Sequence, residues 1–309
     1  MFLNGLITND IKNLARDSWM LAAFANVQGR LLATVRIFSR DDGFLLDTSD
    51  ATREKIIGLL ERFVLAGDFR ITELTDELVS LSVQGPRAAQ VVAAVFGEEA
   101  ARLPRQKVAN LKFGEAQVSM IRATWSAEDG FDLFIEAAGA PQLREAFAAG
   151  GAVTVDEATT ETLRIEAGIP LYGIDMDETT IVTETNLDDA VSFSKGCYLG
   201  QEIIVRIKHR GHVAKKLAGL GLETTATVAP GAKILSADGP EIGRVTSSTV
   251  SPRLDRTIAL GYVKYDYLTP ATQVIIAAGD QQLPAKVTEL PFVRGTWYDE
   301  SEPEALATG

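Results

Sequence analysis

The chain has 309 residues, 46% hydrophobic and 23% charged, a balance that fits a globular protein of two or three cores and excludes a disordered or fibrous chain. Its formal net charge of -12 speaks against direct nucleic-acid or anionic-membrane binding, both of which need basic surface. One cysteine excludes an intramolecular disulfide and suits a reducing, cytoplasmic setting; no leader is read at Met1-Phe2-Leu3-Asn4, and no apolar run reaches membrane-span length.

The predicted elements begin with a hairpin, Trp19–Phe24 and Leu31–Phe38 around Gln28-Gly29. Asp50 can cap a helix over Ala51–Leu65 with Ile56, Ile57, Leu60, Phe63 and Val64 on one face, stopped at Gly67. Gly85-Pro86 opens a second helix that runs to Gly97, and Pro141 to Gly150 repeats that logic. Strands are expected near Val79–Val83, Gln117–Thr124 and Phe131–Ile135, an α+β layout. From about Lys216 short strands follow one another: Leu217–Leu222, Ala232–Leu235, Gly243–Thr246, Ile258–Val263, Val274–Ile276 and Ala285–Thr288. Asp238-Gly239 and Gly279-Asp280 are hairpin turns between them, so a small β-barrel or sandwich is expected here. The expected division is an α+β region of two subdomains over 1–212, a barrel domain over 213–300 and a frayed acidic tail over 301–309.

Charge is segregated in one place. Residues 156–189 hold ten acids against Arg164 alone, and residues 195–216 hold six bases against Glu202 alone. Cys197, His209 and His212 all fall in the basic stretch. Neighbouring cations favour a thiolate, so Lys195 and Arg206 are candidates to activate Cys197, with Gly196 and Gly200 freeing the backbone around it. The bland alternative is an inert thiol beside a solvated basic face. His209-x-x-His212 with Cys197 lacks a recognised zinc spacing, so no metal site is expected, and one cysteine cannot hold a four-cysteine cluster within a monomer. The acids of 156–189, including Glu184, Asp188 and Asp189, read as a solvated face, and Trp19, Trp125 and Trp297 as core or interface residues.

Lys195-Gly196-Cys197-Tyr198-Leu199-Gly200-Gln201-Glu202 matches the pattern K-G-C-Y-x-G-Q-E, continued by Arg206 and Arg210-Gly211. Phe2-Leu3-Asn4 with Thr8-Asn9-Asp10, Gln28-Gly29-Arg30, Gln84-Gly85-Pro86, Glu128-Asp129-Gly130-Phe131-Asp132, the run Leu163–Tyr172 and Leu290-Pro291-Phe292 extend the likeness along the chain. On these residues the chain resembles the YgfZ/T-protein family of folate-binding proteins, in its YgfZ branch. The resemblance implies three subdomains around a channel for tetrahydrofolate and a C-terminal barrel. It also implies a role in assembling or maintaining iron–sulfur enzymes, with tRNA modification affected indirectly. Iron–sulfur enzymes or cluster-assembly proteins are then the partners, and Cys197 the functional thiol, with Gly196, Tyr198, Gly200, Gln201 and Glu202 as its motif.

The chain also departs from the T-protein pattern. Where a catalytic carboxylate stands in a G-I-x-D-D stretch, Leu31-Leu32-Ala33-Thr34 carries no acid, which argues against aminomethyl transfer. Asp132 stands for a pterin-binding glutamate, on a shorter arm, and Thr160 for a folate-contacting Arg or Trp. The chain begins inside the family's first motif, so a preceding segment that lines the folate site in relatives is expected to be missing. Three readings result: a folate-binding accessory protein, a folate-dependent aminomethyl or one-carbon transferase, and a scaffold that uses its basic 206–216 stretch without folate.

Overall fold

The computed structural model describes residues 2–64 and 69–299. The expected Gly67 stop and the acidic tail lie outside these residues.

The first part of the chain builds an antiparallel sheet from β1 (Trp19–Ala25), β2 (Leu31–Arg40) and β3 (Gly43–Thr48). Side chains alternate across it. Ala22, Phe24, Ala33 and Val35 face a core closed by α1 (Asp50–Val64), which contributes Ile56 and Leu60, and by Leu3, Leu6 and Ile7. Ala23 and Leu31 face the opposite way, into a second core with Met176, Val182, Val191, Tyr198 and Ile204. The β1–β2 sheet therefore has its back against the segment that carries the K-G-C-Y motif. The hairpin and the apolar face of α1 follow the sequence reading; β3 does not stand out in the sequence because none of its residues is fully buried.

The middle of the chain forms β4 (Leu78–Gln84), α2 (Ala88–Phe96), α3 (Glu98–Ala101), β5 (Val108–Phe113), β6 (Ala116–Arg122), β7 (Gly130–Glu136), α4 (Ala140–Ala149) and α5 (Glu157–Glu166). The sheet order is β4-β7-β6-β5, all antiparallel. Val118, Met120, Leu133 and Ile135 pack under Val91 and Val92 of α2 and Leu143 and Phe147 of α4. Asp132 has the other parity on β7, so it points away from the helices, yet it is 1% exposed.

The last part contributes α6 (Gln201–Arg210) and then β8 (Lys215–Leu222), β9 (Lys233–Ser236), β10 (Glu241–Ser251), β11 (Arg256–Lys264), β12 (Gln273–Ala278) and β13 (Gln281–Thr288). These strands close a barrel in the order β10-β11-β8-β13-β12-β9. Gly239 and Gly279 take positive φ at the two turns read from sequence. Leu220, Leu222, Val245, Val263 and Ile276 fill the interior. The α+β expectation with a C-terminal barrel holds.

Contacts group the chain into two units, one of residues 1–74 with 170–290, the other of 75–169 with 291–309. This cut differs from the chain-order division at residue 212. Among the described residues no helix is long and apolar enough to cross a membrane.

The solvated-face reading of the acids fails for several of them. Glu166 and Glu184 are each 5% exposed and Asp175 is 2% exposed. Asp175 accepts hydrogen bonds from Thr246 (2.5 Å) and Ser247 (2.6 Å) on β10 and from the Leu171 amide (3.0 Å). Polar partners brought from the barrel make its burial tolerable. The segment of Glu184, Asp188 and Asp189 is not one helix but two short 3-10 turns, Val182–Glu184 and Asp188–Ala190.

Candidate functional site

The K-G-C-Y motif is a turn braced at both ends. At its start Lys195 is 7% exposed, and its ammonium donates to the carbonyls of Asn4 (2.5 Å), Ile7 (2.9 Å) and Asn9 (2.6 Å). Burial lowers this amine to about 8. The ammonium also lies 4.9 Å from the ring centre of Tyr198, which is buried and whose phenol burial pushes up to about 12. At its end the Leu199 amide donates to Gly5 O (3.1 Å). Gly200 then takes φ +82° as it meets the β1–β2 turn; a Cβ there would sit 2.5 Å from Asn26 O and 2.8 Å from Gly29 Cα. Glycine alone fits this approach.

Between the braces, Gly196 and Cys197 are exposed. Gln201 opens α6 and its amide nitrogen Nε2 reaches back to Lys195 O (3.5 Å). Glu202 and Arg206 are both exposed on α6 and, four residues apart, share one face. The basic residues of the motif thus divide. Lys195 is a strut whose charge is taken by backbone oxygens, while Arg206 keeps its guanidinium at the surface. His209 is exposed on α6, and the His212 ring stacks on Tyr265 at 3.5 Å.

The two residues carried over as folate contacts lie in the other unit. Thr160 is exposed on α5 and donates to Asp156 O of its own helix (3.0 Å). Asp132 accepts from the Ser82 hydroxyl at Oδ1 (2.6 Å) and from the Trp125 indole at Oδ2 (2.9 Å). Ser82 is its register partner on β4, and Trp125 lies just beyond β6. An anionic acceptor suits the N–H donors of a pterin, so the chemistry of Asp132 fits tetrahydrofolate, although the carboxylate is 1% exposed and each oxygen already accepts one bond. Sequence reasoning missed Ser82 and Trp125. Trp125 and Asp132 flank the same Glu128-Asp129-Gly130 turn, a signal that pairs them; Ser82, fifty positions away, left none. Beside them the guanidinium of Arg122 holds Asp129 by two bonds (2.7 and 3.0 Å), which fixes that turn.

At the start of β2, Leu31 and Ala33 are fully buried and Leu32 and Thr34 half-buried. No carboxylate is supplied from these four positions.

Three antiparallel sheets, one of them a closed barrel, with a glycine-braced turn against the first, define an architecture that known proteins share along the chain. Residues 1–195 match the GCVT N-terminal domain and residues 215–294 the glycine cleavage T-protein C-terminal barrel domain. The chain belongs to the glycine cleavage T-protein family. The aminomethyltransferase of Rubrobacter xylanophilus is 31% identical over 99% of this chain and 81% of its own length. The mitochondrial aminomethyltransferase of Mus musculus is 30% identical over 96% of this chain and 75% of its own. The crystal structure of aminomethyltransferase T from Bartonella henselae shares the fold, with a TM-score of 0.85 at 24% identity over 95% of this chain and 81% of that one. The names of these relatives weigh for the transferase reading over the accessory one.

Proposed function

We propose that this chain is a tetrahydrofolate-binding accessory protein for the assembly or maintenance of iron–sulfur enzymes, in the YgfZ branch of its family, with Cys197 as its acting group. The observation that carries this reading is the exposed thiol on a turn braced by Lys195 and Gly200. Bracing costs a buried ammonium and the chain entropy of a fixed glycine, which an inert surface cysteine does not need. The acid-free start of β2 supports it too, since a folate amine there lacks a carboxylate to place its proton. One thiol serves clusters held by partner enzymes or assembly proteins, and any effect on tRNA modification follows from those clients. A cytoplasmic setting accords with the single reduced cysteine.

A second reading, folate-dependent aminomethyl transfer, is favoured by the names of relatives that match nearly the whole of this chain and 75 to 81% of their own length. The two readings separate in one set of assays. Cys197→Ala is expected to fold, to bind tetrahydrofolate anaerobically as the wild type does, and to lose support of iron–sulfur enzyme activity in cells that depend on the protein. Full support by the variant sinks the accessory reading. Formation of methylenetetrahydrofolate by the wild type from a supplied aminomethyl donor puts the transferase reading in its place.

A further inference from the structure

The Asp132 carboxylate sits in a closed polar circuit. Besides its bonds from Ser82 and Trp125, the Ser82 oxygen accepts from the Gln84 amide Nε2 (3.0 Å), and Gln84 Oε1 accepts the backbone N–H of Trp125 (2.9 Å). The same Nε2 also donates to Ala123 O (3.0 Å). A ligand that approaches Asp132 with N–H donors of its own therefore meets a carboxylate that is 1% exposed and each of whose oxygens already accepts one bond.

The two donors on Asp132 are not equally fixed. Ser82 belongs to β4 and stands opposite Asp132 within a seven-pair antiparallel ladder, so its position is held by the sheet. Trp125 lies in the connection between β6 and β7, is only partly buried, and reaches Asp132 through a side chain with two rotatable bonds. Ala127, two residues on, takes φ +62°, so this connection is irregular backbone rather than strand. The indole is the donor that can leave.

We propose that Trp125 sets the folate affinity of this chain by competing with the pterin for Asp132. The indole N–H caps the carboxylate in the free protein, and the ligand's donors replace it on binding. This inference rests on the folate reading given above. A hydrogen bond to a charged group, lost without gain elsewhere, corresponds to about tenfold in affinity. Phenylalanine keeps a ring at this position and removes the N–H.

Trp125→Phe is accordingly expected to bind tetrahydrofolate about tenfold more tightly than the wild type in an anaerobic titration, and Asp132→Asn to bind it more weakly than the wild type. Equal or weaker binding by Trp125→Phe overturns the proposal. The wild type carries a second readout that does not depend on that variant folding. Its three tryptophans give three indole N–H resonances, assigned by Trp19→Phe and Trp297→Phe. The Trp125 resonance is expected to shift on saturation with tetrahydrofolate, and an unmoved resonance overturns the proposal. The two failures are distinct. A wild type that shows no binding at millimolar tetrahydrofolate removes the folate reading and this inference with it; a wild type that binds, with Trp125→Phe unchanged, removes this inference alone.

Discussion

Burial raises the carboxyl of Glu184 above its ordinary value, against the opposing pull of the Ile181 amide, Lys215 and Arg30. A carboxyl raised in the folded state contributes stability that is complete below its unfolded pKa and is lost as pH rises through the folded one. Glu184→Gln keeps an oxygen for the Ile181 N–H (3.1 Å) and removes the buried charge. Its melting temperature by calorimetry is expected to equal the wild type's near pH ~4 and to exceed it at pH ~7, since only the ionised form is penalised. A variant less stable at both pH values contradicts this account. Lys195 illustrates a different balance. Its burial disfavours the charge, yet three carbonyl oxygens accept its three protons, the full donor set of an ammonium. Residue type announces a cation; only its surroundings make it a strut.

At the scale of elements, the turn before α6 is where sequence, backbone and packing meet. Ile204 of α6 is fully buried and packs toward Gly29, 3.3 Å from where a Cβ on that glycine would stand, so α6 and the β1–β2 hairpin are set close together. Gly200 permits the approach through its positive φ, whereas Gly196 has nothing within 4 Å of a Cβ position. Two alanine substitutions in one motif should therefore differ sharply. Gly200→Ala is expected to lose more than about 2 kcal/mol in urea unfolding, from the left-handed backbone and the contact with Asn26 O. Gly196→Ala is expected to stay within about 0.5 kcal/mol of the wild type. Equal losses at the two positions would mean that the brace at Gly200 is not what orders the turn.

At the scale of the molecule, neither unit is a continuous stretch of chain. After the barrel ends at Thr288, residues 291–299 belong to the unit of the β4–β7 sheet. There Thr296 donates from both its amide and its hydroxyl to Glu128 (2.8 Å each) and accepts the Asp129 amide (2.9 Å). Val293 bonds Glu166 O (3.1 Å), and the Arg105 guanidinium stacks 3.9 Å from the Trp297 ring centre. Thr296→Val preserves shape and removes the hydroxyl, which takes one donor from the partly buried Glu128 carboxylate and the acceptor from the Asp129 amide. A cost of about 1–3 kcal/mol is expected, confined to one unit. Hydrogen exchange should show faster opening of β4 to β7 with barrel amides unchanged; uniform acceleration in both units would argue against separate units.

Much of the fold was legible from local patterns. Alternation and Gly-containing turns marked the barrel strands, Pro and Gly placed α2 and α4, and the eight-residue motif around Cys197 marked a candidate site, because strand period and turn geometry are decided within a few residues. Helices α5 and α6 were not read from the sequence: α5 is rich in Thr and Glu, and in α6 the stripe of Ile203, Ile204 and Ile207 is short and sits among charged residues. The polar partners were not legible at all. Lys195 finds its carbonyls 186 to 191 positions away, Asp175 its hydroxyls more than seventy, and Asp132 its serine fifty. The sequence by itself marked candidate residues for chemistry and most of the strands, whose period is local; tertiary structure alone decided which charges are exposed and which are enclosed, because a buried polar group is made tolerable only by partners that chain closure brings to it.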